Sequence, residues 1–384
     1  MVEKYAYITG WGKYVPEIVL TNDDLAQIVD TSDEWISSHT GIRERHMAGP
    51  KDTVVSMSVA AAKDALDRAG IRGSELDLII VATTSPDYQL PGAAPLLQDR
   101  LGADKAAAFD LRSGCTGFIY AMSVAAQFIA RGIYQRVLIV GAEVVTPFVD
   151  WNDRRTCVLF GDGAGCAVIE ARDEPGGIGA IHLGSKGSKW DSLYVEGAGS
   201  AYPLCPETLK KGRHYLRMDG QTVGRFAVRT MLRGTRDALR ASGLAWSDVD
   251  LMIPHQSNLR LIEFAAKKLR FPLDRVFVNV DRYANMSTAS IPVALCEAAE
   301  EGRLGDGDHV LLVGFGAGLT SATAMIQWGA PEGPRRRLVW WRFVPLGKQA
   351  LSRTRERVRS AMQTAASTAG TLLLPFLSSF RKKK

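Results

Sequence analysis

Cys115 stands between two glycines in the run Ser113, Gly114, Cys115, Thr116, Gly117, and Phe118 to Arg131 continue at helical spacing. A thiol attacks as its thiolate, and the reference pKa of cysteine is about 8.5. A helix N-terminus favours the anion, because unpaired N–H groups and the macrodipole place positive charge there. The spacing therefore predicts a Cys115 whose pKa is lowered. Gly114 and Gly117 permit a sharp turn and close approach of a substrate. The alternative is a free cysteine packed as a small hydrophobe.

Two further residues have types that match such a nucleophile. His255 ends the apolar run "DLMIP" and is followed by the polar Gln256, Ser257 and Asn258. Asn285 lies in "YANMSTAS", where Ser287 and Thr288 are candidate caps for the next helix. Together they offer two hydrogen-bond donors for one carbonyl oxygen; separately, each reads as a structural strand-end or turn residue. The loop "GFGAGLTSATA" (314–324), with Gly316 and Gly318, reads as a tight turn or as backbone brought close to an acyl thioester. No Lys-Ser/Thr follows it, which disfavours a phosphate cradle. A second glycine-rich run, "FGDGAGCAV" (160–168), reads as a turn between two strands.

What must position these residues is visible in the alternation of apolar runs such as "LDLIIVAT" and "RVLIVGAEV" with helical patterns, the mark of an α/β chain. Residues 63–85 align without a gap on 236–258, and "VLIVG" (137–141) falls on "VLLVG" (310–314) at the same offset of 173. Two similar halves are expected, 1–172 and 173–329, followed by an extension, 330–384. The alternative is convergence of two generic βαβ units. The offset carries Cys115 onto Thr288, so each half starts a helix there, and His255 onto Ala82 at a strand end. Ligands gather at the carboxyl ends of strands in open α/β sheets. Halves facing across a pseudo-dyad would bring Cys115, His255 and the loop before Thr288 together.

These residues resemble the β-ketoacyl-acyl-carrier-protein synthase III branch of the thiolase-like superfamily. The motifs are "TSDEWISSHTGIRERH" (31–46), "SGCTGF" (113–118), "DRRTCVLFGDGAGCAV" (153–168), "PHQSNLR" (254–260), "ANMSTAS" (284–290) and "GFGAGLTS" (314–321), in the family's order over 1–329. The resemblance implies a five-layer αβαβα thiolase-like fold, a homodimer, and a Cys115, His255, Asn285 triad. It implies acyl transfer from acyl-CoA to the cysteine, then decarboxylation of malonyl-acyl-carrier protein and condensation to a 3-oxoacyl product that initiates fatty-acid synthesis, with no cofactor and no metal. It points to Trp35 and Arg154 for the CoA adenine and Arg260 for carrier-protein docking; a packed aromatic and solvated charges are the alternatives. Ala284, Ala317, Gly224 and Leu90 depart from the family pattern and bear on primer preference. A specialised polyketide- or quinolone-like priming role, or a non-catalytic binding relative, are the competing functions. Degradative thiolases need a second cysteine in the last glycine-rich loop, and elongating synthases a histidine where Asn285 stands. Relatives that deprotonate without decarboxylating use a glutamate base in the first half, and none occurs between Glu75 and Glu143.

The composition is that of a soluble enzyme, with 46% hydrophobic and 23% charged residues. No N-terminal apolar h-region and no run of about 18 apolar residues is present, so neither a secretory signal nor a spanning helix is expected. Five widely spaced cysteines without a C-x-x-C argue for a reducing cytoplasm and against a disulfide framework or zinc site. The net charge of +6 divides into −6 for residues 1–334 and +12 for the rest. That basic extension, with Trp340, Trp341 and Phe343, suits peripheral contact with an anionic membrane surface. The alternative is a disordered or oligomer-packing extension. A nucleic-acid role has the same charges and no supporting fold.

Overall fold

The computed structural model describes residues 4–329. The basic extension, and with it the expectation of membrane contact, lies outside the described residues. No described helix is long and apolar enough to cross a membrane.

Among the described residues, nine strands build the two large sheets. In chain order they are β1 (Tyr5–Tyr14), β2 (Leu78–Ala82), β3 (Ala107–Leu111), β4 (Arg136–Glu143), β5 (Gly163–Arg172), β6 (Ile178–Ser185), β7 (Leu251–Pro254), β8 (His309–Gly316) and β9 (Thr320–Gln327). The first sheet runs β1-β5-β4-β2-β3 and the second β6-β9-β8-β7. The strand senses agree step for step: two antiparallel pairs, then a parallel pair, β4 with β2 and β8 with β7. A parallel bridge from Met252 to Val276 stands beside β7 where β3 stands beside β2.

Six helices matter to the site: α1 (Asp33–Thr40), α2 (Val54–Ala69), α3 (Gly117–Ala130), α4 (Gly220–Ser242), α5 (Leu259–Leu269) and α6 (Ser290–Glu300). Phe118, Ile119 and Met122 of α3 and Ile291 and Leu295 of α6 share one core with Ile80, Ile139, Ile253 and Leu312 from both sheets. The outer face of the first sheet packs on α2, and that of the second on α4 and α5. The result is the five-layer αβαβα sandwich of two duplicated halves. With both faces covered, β2 is buried at every residue, which is why it reads as an unbroken apolar run.

The segment 160–168 corrects the expectation of a turn, since residues 163–168 form the first part of β5. Its glycines serve contact between layers: a Cβ on Gly165 would lie 2.8 Å from the Val293 nitrogen of α6. The offset of 173 also ends here. β4 reaches β5 through the long loop 144–162, whereas β8 reaches β9 through residues 317–319.

Candidate active site

Cys115 lies in a 3-10 turn, Gly114–Thr116, that leads directly into α3. The equivalent turn of the other half, Ser287–Ala289, leads into α6. The turn carrying Cys115 meets the end of β8. A Cβ on Gly316 would sit 2.6 Å from the Cys115 nitrogen, and one on Gly114 3.0 Å from the Ala317 nitrogen. Gly114 has φ +53° and Gly318 φ +126°, backbone that glycine adopts without strain. These three glycines let the 314–319 loop close over the sulfur.

His255 follows β7, its N–H donating to the Val313 carbonyl of β8 at 2.8 Å. Its ring stands edge-on to Phe315, centroids 5.1 Å apart, and Phe315 precedes the Gly316 that touches Cys115. Asn285 donates its N–H to the Leu159 carbonyl at 2.9 Å, and its Oδ1 accepts the Ser287 N–H, also at 2.9 Å. The Ser287 side chain lies beside the Cys115 thiol. Contacts thus connect Cys115, His255 and Asn285 in one buried neighbourhood, from segments that are far apart in sequence.

Electrostatics differ from the expectation at Cys115. Burial pushes its thiol up to about 11, above the ordinary value; the Ser287 side chain and the Cys115 and Ala317 N–H groups pull it back in part, and the Glu143 charge adds to the rise. A helix N-terminus does not lower the pKa here, because desolvation is the larger effect. Burial alone holds His255 down to about 3, and its Nδ1 has no hydrogen-bond partner among the described residues. The imidazole is therefore neutral and carries a single N–H.

Ser287 and Thr288 do not cap α6. Both hydroxyls turn instead to Glu143, the last residue of β4, at 3.1 and 3.2 Å from its Oε1. The sequence reading missed Glu143 as a site residue. Nothing local marks a strand-end glutamate as the meeting point of two halves; the duplication, which sets the ends of β4 and β8 equivalent, was the available signal.

The remaining candidates form a second group. The Arg154 guanidinium lies 5.3 Å from the Trp35 ring centroid, and the Trp35 ring stacks on His39 at 4.7 Å. Trp35 is half-buried on α1 and Arg154 is exposed. Arg260, at the start of α5, donates to the Ser38 and Ser37 carbonyls at the end of α1, at 2.8 and 3.4 Å, and pairs with Glu263 at 2.9 Å. Arg260 is thus held to the helix that carries Trp35. Among the departures, Leu90 is 88% exposed and a Cβ on Gly224 would meet no more than Leu261 at 3.7 Å. Ala284 has φ +53° in a region that suits glycine. Ala317 keeps its N–H on the sulfur. Among the described residues no three or more His, Cys, Asp or Glu side chains come together as a metal-binding group.

Comparison with known proteins agrees with this architecture. The sequence profile described as 3-oxoacyl-[acyl-carrier-protein (ACP)] synthase III matches residues 109–187, and that of its C-terminal part matches 239–328. A β-ketoacyl-[acyl-carrier-protein] synthase III of Roseiflexus castenholzii is 50% identical over 326 residues, 85% of this chain and 99% of the relative. One of Desulfitobacterium hafniense (strain DCB-2) is 50% identical over 84% of this chain and 97% of its own. The solved structure of the Thermus thermophilus β-ketoacyl-[acyl-carrier-protein] synthase III superposes with a TM-score of 0.79 at 45% identity, covering 85% of this chain and all of that one. With this sequence profile, this degree of identity and this sandwich, the chain belongs to the 3-oxoacyl-[acyl-carrier-protein] synthase III family.

Proposed function

We propose that this enzyme condenses an acyl group, taken from acyl-CoA onto Cys115, with malonyl-acyl-carrier protein, releasing carbon dioxide and initiating fatty-acid synthesis. The observation that carries the roles of the residues is the convergence of Cys115, His255 and Asn285 beneath the 314–319 loop. The thiol attacks the acyl-CoA carbonyl, its proton leaving with the CoA thiol, and the Cys115 and Ala317 N–H groups, which stand at the sulfur, are the donors on hand for the resulting oxyanion. In the second step the malonyl thioester oxygen gains charge as carbon dioxide leaves. Neutral His255 and the Asn285 Nδ2, whose amide is oriented by the bond at Oδ1, supply two donors to that enolate. One preorganised donor of this kind is worth about 3–4 kcal/mol. The carbanion then attacks the Cys115 thioester and the 3-oxoacyl product departs on the carrier protein.

The Trp35 and Arg154 pair suits a flat aromatic base with a phosphate-bearing tail, and Arg260 an acidic carrier protein. Two observations support the wider setting. Strand β3 has a partner on one side only among the described residues, with Phe109 exposed on it, which favours a homodimer. All five cysteines are free, which favours the cytoplasm.

Intact-mass measurement after incubation with acetyl-, branched- and long-chain acyl-CoA tests the reading. The expected result is a single acyl adduct, absent in Cys115→Ala and discharged by malonyl-acyl-carrier protein with release of carbon dioxide. An adduct that malonyl-acyl-carrier protein leaves in place would replace condensation with plain acyl transfer.

A further inference from the structure

Glu143 is fully buried at the end of β4, and none of its partners is a cation. A carboxylate buried that way is costly unless hydrogen-bond donors surround it. The first half supplies the Thr84 N–H at 3.1 Å, the Thr84 hydroxyl at 2.9 Å, the Ser85 hydroxyl at 2.5 Å and the Thr83 hydroxyl at 3.4 Å. Ser85 Oγ itself accepts the Val144 N–H at 2.9 Å, so its single proton goes to the carboxylate. The second half supplies two adjacent residues of the turn before α6, and both end on Oε1. Ser287 Oγ stands at 3.1 Å, and Thr288 Oγ1 at 3.2 Å with the Ala82 carbonyl also in reach at 3.1 Å. The same turn presses on β4: a Cβ on Gly141 would sit 2.4 Å from the Thr288 carbonyl oxygen.

Ser287 in turn orients Asn285. The Asn285 backbone is fixed by its N–H on the Leu159 carbonyl at 2.9 Å and by its own carbonyl, which accepts the Gly161 N–H at 3.1 Å. Its side chain makes one hydrogen bond among the described residues, accepting the Ser287 N–H at Oδ1 at 2.9 Å. An N–H bonds to the oxygen of an amide and not to its NH₂, so this bond decides which end is which and leaves Nδ2 as the free donor. The residue that supplies the N–H stands at φ +50°, strained for anything but glycine. Such backbone persists only where its surroundings over-determine it. Ser287 is held at both ends, by Oγ on Glu143 and by its N–H on Asn285. We propose that Glu143 sets the orientation of the Asn285 amide through Ser287, so that the first half of the chain aims a donor carried by the second. Glu143 and Ser287 are positioning residues for condensation, and the donor they aim is Asn285 Nδ2. Every link in the chain from Glu143 to Asn285 is a hydrogen bond of 2.9 or 3.1 Å.

The inference rests on the proposed role of Asn285 as a donor in condensation. Its test loads Cys115 of the full chain with acetyl-CoA, then adds malonyl-acyl-carrier protein and follows discharge of the adduct and release of carbon dioxide. The two stages separate acylation from condensation. Glu143→Met fills a similar volume without an acceptor; it should slow discharge about 10–100-fold while acylation falls less than about threefold. Ser287→Ala removes the anchor and leaves a strained residue, and should slow discharge by as much. Ser287→Gly also removes the anchor but adopts φ +50° freely, and should discharge at least about threefold faster than Ser287→Ala. Added to Ser287→Gly, Glu143→Met should cost no more than about a further threefold, because the link it breaks is already gone. If Glu143→Met does not fold, the two Ser287 variants decide. Discharge at the wild-type rate in Glu143→Met or Ser287→Ala, equal loss of acylation and discharge, or losses at the two sites that simply multiply would overturn the inference and leave the condensing reaction intact. An Asn285→Asp chain that discharges at the wild-type rate would overturn the role of Asn285 itself, and this inference with it.

Discussion

At Asn285 one half of the amide is already committed: Oδ1 accepts the Ser287 N–H, and in the proposed reaction Nδ2 serves a substrate oxygen. Asn285→Asp keeps the acceptor and removes that donor, at nearly unchanged volume. The expected outcome is a 10²–10³-fold fall in condensation, measured as carbon dioxide release, with Cys115 still acylated. In the proposed reaction His255 acts beside it as a neutral donor. Its folded pKa, about 3, lies below the ordinary 6.5, so its protonation does not limit turnover near neutrality. The sign for stability follows: the folded state binds fewer protons than the unfolded one between these values. This contribution is complete above 6.5 and is lost as pH falls towards 3.

At the scale of elements, the site depends on layers that pack closely. Strand β1 carries Gly10 and Gly12 against α2, whose facing residues include Ala61, Ala65 and Ala69. A Cβ on Gly12 would lie 2.0 Å from the Ala61 carbonyl oxygen and 2.9 Å from the Ala65 nitrogen, both backbone atoms that a rotamer change does not move. Gly12→Ala must therefore separate helix from sheet. It should destabilise by about 1–3 kcal/mol, read as a lower urea midpoint with an unchanged slope. Helix α2 itself is bounded by a Thr53–Ser56 capping box and by Gly70 at φ +70°, signals that are local to its sequence.

At the scale of the whole molecule, the first sheet ends on β3, a strand with one paired edge and Phe109 exposed at 37%. Such an edge is a template for a second strand, and a second copy of this chain offers an identical one, antiparallel across a two-fold axis. Phe109→Asp places like charges opposite each other across that axis. It should shift sedimentation velocity from dimer to monomer; a monomeric wild-type chain would sink the assignment.

Much of this arrangement is written locally. Cys115 between glycines before a buried helix, the apolar strands, the capped helix α2 and the offset of 173 that makes β7 and β8 copies of β2 and β4 are properties of short segments and their spacing. Three features are not local. The run 160–168 is poor in β-formers, and it becomes strand because α6 needs a surface of small residues to approach. The Cys115 pKa rises instead of falling because desolvation depends on everything packed around the sulfur. Glu143 enters the site because two strand ends and a turn 144 residues further on meet there, and hydroxyls that look like helix caps become its ligands. Residue types and periodicity were determined by the sequence alone; burial and the meeting of distant hydroxyls with a carboxylate exist only once the layers close.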